Sequence, residues 1–106
     1  MAALPEATMK YVLLAKISPE WIRRWDERVK AAVAQMKKLG ITVEAGGYTQ
    51  GEYDFVDFVD CKDAQAVLAY SIWYASEGFG SILTLPAFSG AEIKAARGRN
   101  KPAKRK

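Results

Sequence analysis

The sequence predicts an α+β domain built on a four-stranded antiparallel sheet. Period-two alternation of apolar residues, which is typical of strands, occurs at residues 9–17, 41–50, 53–60 and 79–88. Two stretches with helical spacing separate them, at residues 19–39 and 61–77. The order strand, helix, strand, strand, helix, strand is that of a ferredoxin-like fold, in which the first and third strands are central.

Length and charge set the first limits on function. A chain of 106 residues is the size of one domain. The net charge of +4 comes from residues 97–106, whose six basic residues leave ten basic and twelve acidic side chains elsewhere, a net charge of −2. The folded body is therefore not expected to bind nucleic acid through a basic surface. No long apolar run or basic-then-apolar leader is present, so we predict a soluble cytoplasmic protein.

Several kinds of chemistry are excluded by residues that the chain lacks. It has no histidine and a single cysteine, Cys61. This excludes Ser-His and Cys-His nucleophile pairs, His-ligated haem, the usual zinc sites and an internal disulfide. Asp54, Asp57 and Asp60 cannot converge on a metal ion, because residues three apart on a strand point to opposite faces. We therefore predict no metal and no cofactor.

The first strand and helix have clear boundaries in the sequence. Residues 1–8 show no periodicity and are predicted to be a flexible lead-in to a domain spanning residues 9–96. The tripeptide Ser18-Pro19-Glu20 predicts a helix start, with Ser as N-cap and Pro in the first helical position. Gly40 predicts the helix end as a left-handed cap. Helical spacing predicts a buried stripe of Ile22, Trp25, Val29, Ala32, Val33 and Met36.

A hairpin is predicted between the second and third strands. Gly51-Glu52 separates two strand-like runs, and a glycine in the first position of a two-residue loop is typical of a type II′ turn. Gln50 would then face Tyr53. Gly46-Gly47 interrupts the second strand, which indicates a bulge or a close approach to the backbone.

The second helix is predicted to begin at Asp60 as N-cap, with Asp63 in the first turn, and to end before Gly78. Its aromatic side chains, including Tyr70, indicate either ordinary core packing or contact with a cavity or partner. The predicted buried stripe is Ala64, Val67, Leu68, Ile72 and Ala75.

The C-terminal part combines an edge strand, a short helix and a basic tail. Pro86 predicts that the fourth strand lies at a sheet edge. Ser89 and Glu92 form a capping-box pattern that predicts a helix over residues 90–96. Residues 97–106 are predicted to be a disordered basic tail. Such a tail either keeps the protein in solution or binds nucleic acid weakly through counterion release.

Charges predict the register of the first and third strands. Placing Lys16 opposite Asp54 also places Lys10 opposite Asp60, with apolar pairs between them. Lys16 and Asp54 are expected to form an ion pair. Both faces of the resulting sheet are apolar, yet two helices cover only one of them. The other face would expose a large apolar patch, which predicts a homodimer packed sheet on sheet.

Four segments carry a resemblance to a known family. They read KYVLLAK at 10–16, SPE at 18–20, GEYD at 51–54 and TLPAFS at 84–89. Through these four segments, the stretch of residues 9–95 resembles the GYD domain family. The resemblance implies a dimeric ferredoxin-like α+β barrel, and it does not supply a reaction. The motif positions that carry over are Lys16, Gly51, Tyr53 and Asp54. The departures from the family pattern are Asp57, Gly46-Gly47 and Pro86.

Asp57 is the candidate functional residue, since it is a carboxylate in the middle of an apolar strand. A buried carboxylate must be hydrogen-bonded, neutralised or exposed to a cavity. In the predicted register it lies opposite Gly46 and Leu13, which leaves space beside it. The residues predicted to form a ligand pocket with it are Tyr11, Tyr48, Tyr53 and Gly46.

Four hypotheses for Asp57 follow from this position. The pocket could bind a small organic molecule. Asp57 could also act as a general acid or base in a cofactor-independent oxygenase or isomerase. If its face of the sheet is the dimer seam, Asp57 and its symmetry mate could share a proton or a cation. Alternatively, Asp57 is structural and is bonded to a tyrosine or water at a wet interface.

Overall fold

The computed structural model describes residues 8–100 and 102, in an α+β fold with one sheet. The strands form an antiparallel sheet in the order β2-β3-β1-β4, so β1 and β3 are central and β4 is an edge strand. The predicted fold class is confirmed. The elements are β1 (Met9–Ile17), α1 (Trp25–Leu39), β2 (Thr42–Tyr48), β3 (Phe55–Cys61), α2 (Ala64–Ser76), β4 (Gly80–Ala87) and α3 (Gly90–Gly98).

The register of the two central strands agrees with the prediction. Lys10 pairs with Asp60, and on the same face Val12 pairs with Phe58 and Leu14 with Val56. The Lys10 ammonium also contacts Glu44 of β2, so one end of the sheet carries a small cluster of opposite charges.

Lys16 and Asp54 do not form the predicted ion pair. Oδ2 of Asp54 accepts a hydrogen bond from the backbone N–H of Ile17 at 2.7 Å. Lys16 instead places its Nζ atom 5.6 Å from the centroid of the Tyr53 ring. The fixed backbone amide at the strand end is a better-placed donor than a flexible, exposed lysine side chain, which packs on the ring instead.

The loop between β2 and β3 is longer than the predicted two-residue turn. Tyr48 pairs with Phe55, and the N–H of Thr49 donates to the carbonyl of Asp54 at 2.8 Å. The Thr49 hydroxyl donates to the carbonyl of Tyr53 at 2.7 Å. The Thr49 hydroxyl thus occupies the Tyr53 carbonyl, which would otherwise be available to extend the pairing of β2 with β3. Residues 50–53 therefore form the loop.

The first helix begins later than predicted and ends where predicted. The Ser18 side chain forms no capping hydrogen bond, Pro19–Trp21 forms a short 3₁₀ helix, and α1 begins at Trp25. The Trp21 ring packs edge-on against Phe79 with centroids 4.4 Å apart, which holds this segment against the core. Gly40 ends α1 in the left-handed conformation, with φ of 73°.

The start of the second helix is corrected from Asp60 to Asp63. The Asp63 carboxylate accepts a hydrogen bond from the N–H of Ala66 at 2.9 Å and caps α2. Asp60 belongs to β3, where it pairs with Lys10. A strand continuing through Cys61 leaves Asp60 too early to cap the helix.

The buried face of α2 also differs from the predicted stripe. Val67, Tyr70 and Tyr74 are buried, whereas Leu68 and Ile72 are exposed. Apolar residues surround this helix, so spacing alone does not determine its orientation. The tyrosine rings bury more area than leucine or isoleucine side chains, and they face the sheet.

The core lies between the helices and one face of the sheet. Alternate residues of β1, such as Leu13 and Ala15, are buried on this face. Asp57 pairs with Leu13 and shares its face, so it lies away from the open face of the sheet. The open face carries partly or well exposed apolar side chains from three strands, namely Val12, Leu14, Val56, Phe58, Leu83 and Leu85.

The chain ends in α3, whose start agrees with the prediction. Ser89 and Glu92 form the predicted capping box, and the helix continues to Gly98, two residues beyond the predicted end. Most of the predicted lead-in and tail, residues 1–7, 101 and 103–106, lies outside the described residues. Within the described part, no helix combines the length and the apolar character needed to cross a membrane.

Candidate functional site

A cavity of about 260 Å³ opens between α1, β2, β3 and α2 on the covered face of the sheet. Most of its wall is apolar, and the polar groups come from an arginine, an aspartate and two tyrosines. The lining residues are Arg28, Val29, Ala32, Val33, Met36, Val43, Gly47, Tyr48, Phe55, Asp57 and Tyr70.

Asp57 occupies the sheet wall of this cavity. It pairs with Leu13 on one side and Gly46 on the other, and its side chain is half-buried. Burial raises the pKa of the Asp57 carboxyl above its usual value, and the nearby charge of Arg28 opposes this rise. The raised pKa follows from the cost of keeping a charge among apolar groups. The Asp57 carboxyl therefore takes up a proton at a higher pH than the carboxyl of an exposed aspartate does.

Gly46 leaves the space that the Asp57 carboxylate occupies. A methyl group at position 46 would overlap Oδ1 of Asp57 and come within 3.1 Å of the carbonyl oxygen of Val56. No such constraint applies to Gly47, where an added methyl group would meet nothing within 4 Å. The close approach expected at the glycine pair thus falls at Gly46.

Arg28 is the functional candidate that the sequence patterns missed. Its side chain is only 2 % exposed, and its guanidinium carbon lies 4.9 Å from the centroid of the Trp25 ring and 5.0 Å from that of Phe55. Nη1 lies 3.4 Å from the Tyr74 hydroxyl, to which it donates. Nε is buried without a hydrogen-bond partner among the described residues. A buried arginine with an unused donor is a costly feature for a protein core.

A sequence signal for Arg28 did exist. Arg28 follows Trp25 by three residues and precedes Ala32 by four, so it occupies an inward position of the helical repeat. The predicted stripe used Val29 at this point, because arginine is normally assigned to the solvated face. The sequence feature that could have identified Arg28 is a cation within an otherwise apolar helical stripe.

Two tyrosines of α2 supply hydroxyl groups near Arg28. Burial raises the pKa of Tyr70 and of Tyr74, so both phenols remain protonated around neutral pH. Tyr70 lines the cavity directly, which agrees with one of the alternatives for the aromatic side chains of this helix. Both hydroxyls can act as hydrogen-bond donors and acceptors.

Tyr48 is brought to the cavity as predicted from the sequence pattern. It lies on the covered face of the edge strand β2, and its ring centroid is 5.1 Å from that of Trp25. Its hydroxyl accepts a long hydrogen bond from Nε1 of Trp25 at 3.4 Å. Tyr48 is well exposed, so it stands at the entrance of the cavity.

Tyr11 and Tyr53 are placed elsewhere. Tyr11 pairs with Pro86 of β4, and its hydroxyl contacts the sulfur of Met9 at 3.8 Å. Tyr53 lies in the hairpin loop beside Lys16. Neither belongs to the described residues that line the cavity. Asp57 and Tyr48 therefore line the cavity, whereas Gly46 adjoins Asp57 without belonging to the described lining residues. Tyr11 and Tyr53 lie apart from it.

Metal binding finds no support among residues 8–100 and 102. No group of three or more cysteine, aspartate or glutamate side chains in this range lies close enough to hold a metal ion. The polar groups of the cavity are instead suited to hydrogen bonding with an organic ligand.

Fold and site together define a ferredoxin-like α+β domain with a small, partly charged cavity beneath its helices. A family model for the GYD domain matches residues 11–96. The chain belongs to the GYD domain family, as its sequence resemblance indicated. Among solved structures, the chain is similar to MupZ from Pseudomonas fluorescens, with 16% identity over 93% of this chain and 81% of that chain and a TM-score of 0.49. No curated protein matches the chain.

Proposed function

We propose that this protein is a homodimer that binds a small organic molecule in the Asp57 cavity. The observation that carries the proposal is a half-buried carboxylate on the sheet wall of an apolar cavity, with its pKa raised by burial. An aliphatic side chain at this position would stabilise the core at lower cost. A ligand that bonds to the carboxylate explains the polar group.

The size and lining of the cavity support a small ligand. Its volume of about 260 Å³ lies just below the range of about 300–1,000 Å³ typical of small-molecule sites. Such sites are mainly apolar with a few convergent polar groups. Asp57, Arg28 and Tyr70 supply such groups here, and the exposed Tyr48 stands at the entrance.

The open face of the sheet supports the homodimer. Phe58 of β3 and Leu83 and Leu85 of β4 are exposed there on either side of the partly buried Val12 and Leu14 of β1, and together they form an apolar patch that a second sheet would cover. Sheet-on-sheet packing buries such faces. The charge cluster of Lys10, Glu44 and Asp60 at one end would fix the orientation of the partner.

The raised pKa of Asp57 also favours a second function, general acid–base catalysis on the bound molecule. A carboxylate with a raised pKa removes protons more effectively near neutral pH than an ordinary aspartate. Incubating the protein–ligand complex in D₂O tests this function by mass spectrometry of the released ligand. The wild type would introduce deuterium at carbon and Asp57→Asn would not, whereas equal incorporation would exclude Asp57 as the base.

Native mass spectrometry of the full chain, purified from its own cells, tests ligand and dimer together. We expect a dimer that carries additional mass. Asp57→Leu would keep the dimer and lose the additional mass, while Asp26→Leu, which removes an exposed carboxylate on α1, would keep both. A dimer without additional mass in the wild type would contradict the ligand proposal, and a monomer would contradict the dimer.

A further inference from the structure

The positive charge of Arg28 is buried, and no negative charge of the described residues forms an ion pair with it. Its side chain is 2 % exposed, so the guanidinium has lost nearly all of its contact with water. Removing a cation from water costs several kcal/mol unless a counter-charge and hydrogen bonds replace the lost hydration. Among the described residues, no carboxylate forms an ion pair with Arg28.

The contacts that Arg28 does make are weak substitutes for an anion. The rings of Trp25 and Phe55 lie against the guanidinium at 4.9 and 5.0 Å, and these interactions stabilise a cation without using its N–H donors. The bond to the Tyr74 hydroxyl is long, at 3.4 Å. Nε remains without a hydrogen-bond partner in the part of the chain that the structure describes. The rings therefore fix the arginine in place while leaving donor capacity unused.

Asp57 is near Arg28 without neutralising it. The charge of Arg28 lowers the pKa of Asp57, yet burial has the larger effect and the net shift is upward. No ion pair within 4 Å joins the two residues, and both line the same cavity. The space between them is thus bounded by an unpaired cation and by a carboxyl that burial biases toward its neutral form.

The rest of the cavity wall is apolar and continues beyond the charged end. Val33 and Val43 are exposed, although both line the cavity. Together with Met36 they also line an adjoining hollow near the C-terminal end of α1. An elongated apolar group would lie along these side chains while its polar end reached Arg28.

We infer that the cavity binds a small amphipathic monoanion, with an acidic oxygen on the guanidinium of Arg28 and an apolar body against Val33, Met36 and Val43. This inference rests on the proposed ligand-binding function and names the class of ligand. A carboxylate is the best match, because its oxygens accept hydrogen bonds from the donors of a guanidinium in a planar geometry. Asp57, when protonated, would donate to a second polar atom of the ligand.

A matched pair of probes tests the charge. 4-Phenylbutyrate has a carboxylate and an apolar tail, and 4-phenylbutanamide has the same shape without the charge. We expect titrations of the ¹⁵N-labelled full chain, followed by NMR, to show that the carboxylate binds about tenfold to hundredfold more tightly. The Nε–H signal of Arg28 should shift with the carboxylate.

Two arginine variants test whether the preference for the carboxylate over the amide depends on Arg28. Arg28→Met replaces the buried cation by an apolar group of similar length, and the preference for the carboxylate should disappear. Arg24→Met is the matched control, because Arg24 also packs on a tryptophan ring, at 4.2 Å from Trp21, but lies exposed outside the cavity. It should retain the preference. Heteronuclear spectra establish that both variants are folded.

The outcomes separate this inference from the proposed function. Equal affinity for the two probes, with shifts confined to the cavity residues, would overturn the anion inference and leave the ligand pocket in place. Unchanged carboxylate preference in Arg28→Met would also overturn the inference. Absence of cavity shifts with either probe would contradict the inference, and failure of the purified protein to retain any ligand would separately contradict the proposed function.

Discussion

Gly46 and Asp57 lie directly opposite each other on β2 and β3, and only the missing side chain of Gly46 leaves room for the Asp57 carboxylate. A methyl group there would overlap Oδ1 and crowd the carbonyl oxygen of Val56 at 3.1 Å. The edge strand thus controls the position of the carboxylate in the cavity.

Gly46→Ala is expected to displace the Asp57 carboxylate and to weaken retention of the proposed ligand. Overpacking of this kind costs about 1–3 kcal/mol in the free energy of unfolding. Urea denaturation measures the loss. Gly47→Ala is the control, since a methyl group there meets nothing within 4 Å, and its stability should change by less than about 0.5 kcal/mol. Equal losses of stability in the two variants would show that the loss arises from the strand itself and not from displacement of Asp57.

Asp57→Asn is expected to become more stable than the wild type as the pH rises. The ordinary pKa of 3.8 applies to the unfolded chain, and burial raises the pKa in the folded state. Between the two values the folded protein binds more protons, so the free energy of unfolding of the wild type falls with rising pH. The Asn variant lacks this dependence.

Denaturation of both proteins from below pH 3.8 to neutral pH checks this expectation. Burial raises the pKa of the nearby Tyr70 and Tyr74, so both phenols stay protonated throughout that window. The two stability curves should coincide at low pH and separate above it. Parallel curves throughout would mean that Asp57 has no raised pKa in the folded state.

Asp54→Ala is expected to destabilise the protein by about 1–3 kcal/mol, because it removes the acceptor of the Ile17 N–H, which lies 2.7 Å from Oδ2. Lys16→Gln should cost less than about 0.5 kcal/mol, since Lys16 is exposed and has no ion pair with Asp54. Thermal or chemical denaturation of the two variants compares them. Similar losses would indicate that an ion pair between the two residues operates in solution.

If the proposed homodimer packs through the open sheet face, Phe58→Lys is expected to convert it to a monomer. Phe58 is 48% exposed in the apolar patch of the open sheet face, where a buried lysine charge would oppose association. The dissociation constant should rise by about a hundredfold or more, measured by analytical ultracentrifugation. Leu68→Lys is the matched control, because Leu68 is 57% exposed on α2, on the other side of the molecule. A dimer that survives Phe58→Lys but not Leu68→Lys would place the interface on the helices.

The candidate site was only partly predictable from the sequence. Asp57 was apparent because a carboxylate interrupts an apolar strand, and Gly46 followed from the register. Arg28 was missed because its burial depends on Phe55 and Tyr74, which are distant in sequence and reach it only through the fold. Local periodicity carries no information about such contacts.

Side-chain and tertiary contacts at two turns also overrode local preferences. Gly51-Glu52 favours a two-residue turn, but the side chain of Thr49 and the pairing of Asp54 end the strands earlier. Ser18-Pro19 is a good helix start, yet a 3₁₀ helix forms there while Trp21 packs on Phe79. In both cases a tertiary or side-chain contact outweighed a turn or capping preference of about 1 kcal/mol.

Sequence patterns were sufficient to predict the order of elements, the register of β1 with β3, and the caps at Gly40 and Ser89. These features depend on alternation, charge pairing and hydrogen bonds between residues close in the chain. The same patterns could not predict which face of the sheet the helices cover or which side of α2 is buried. Both faces of the strands and all sides of that helix are apolar, so the choice depended on packing among residues far apart in sequence.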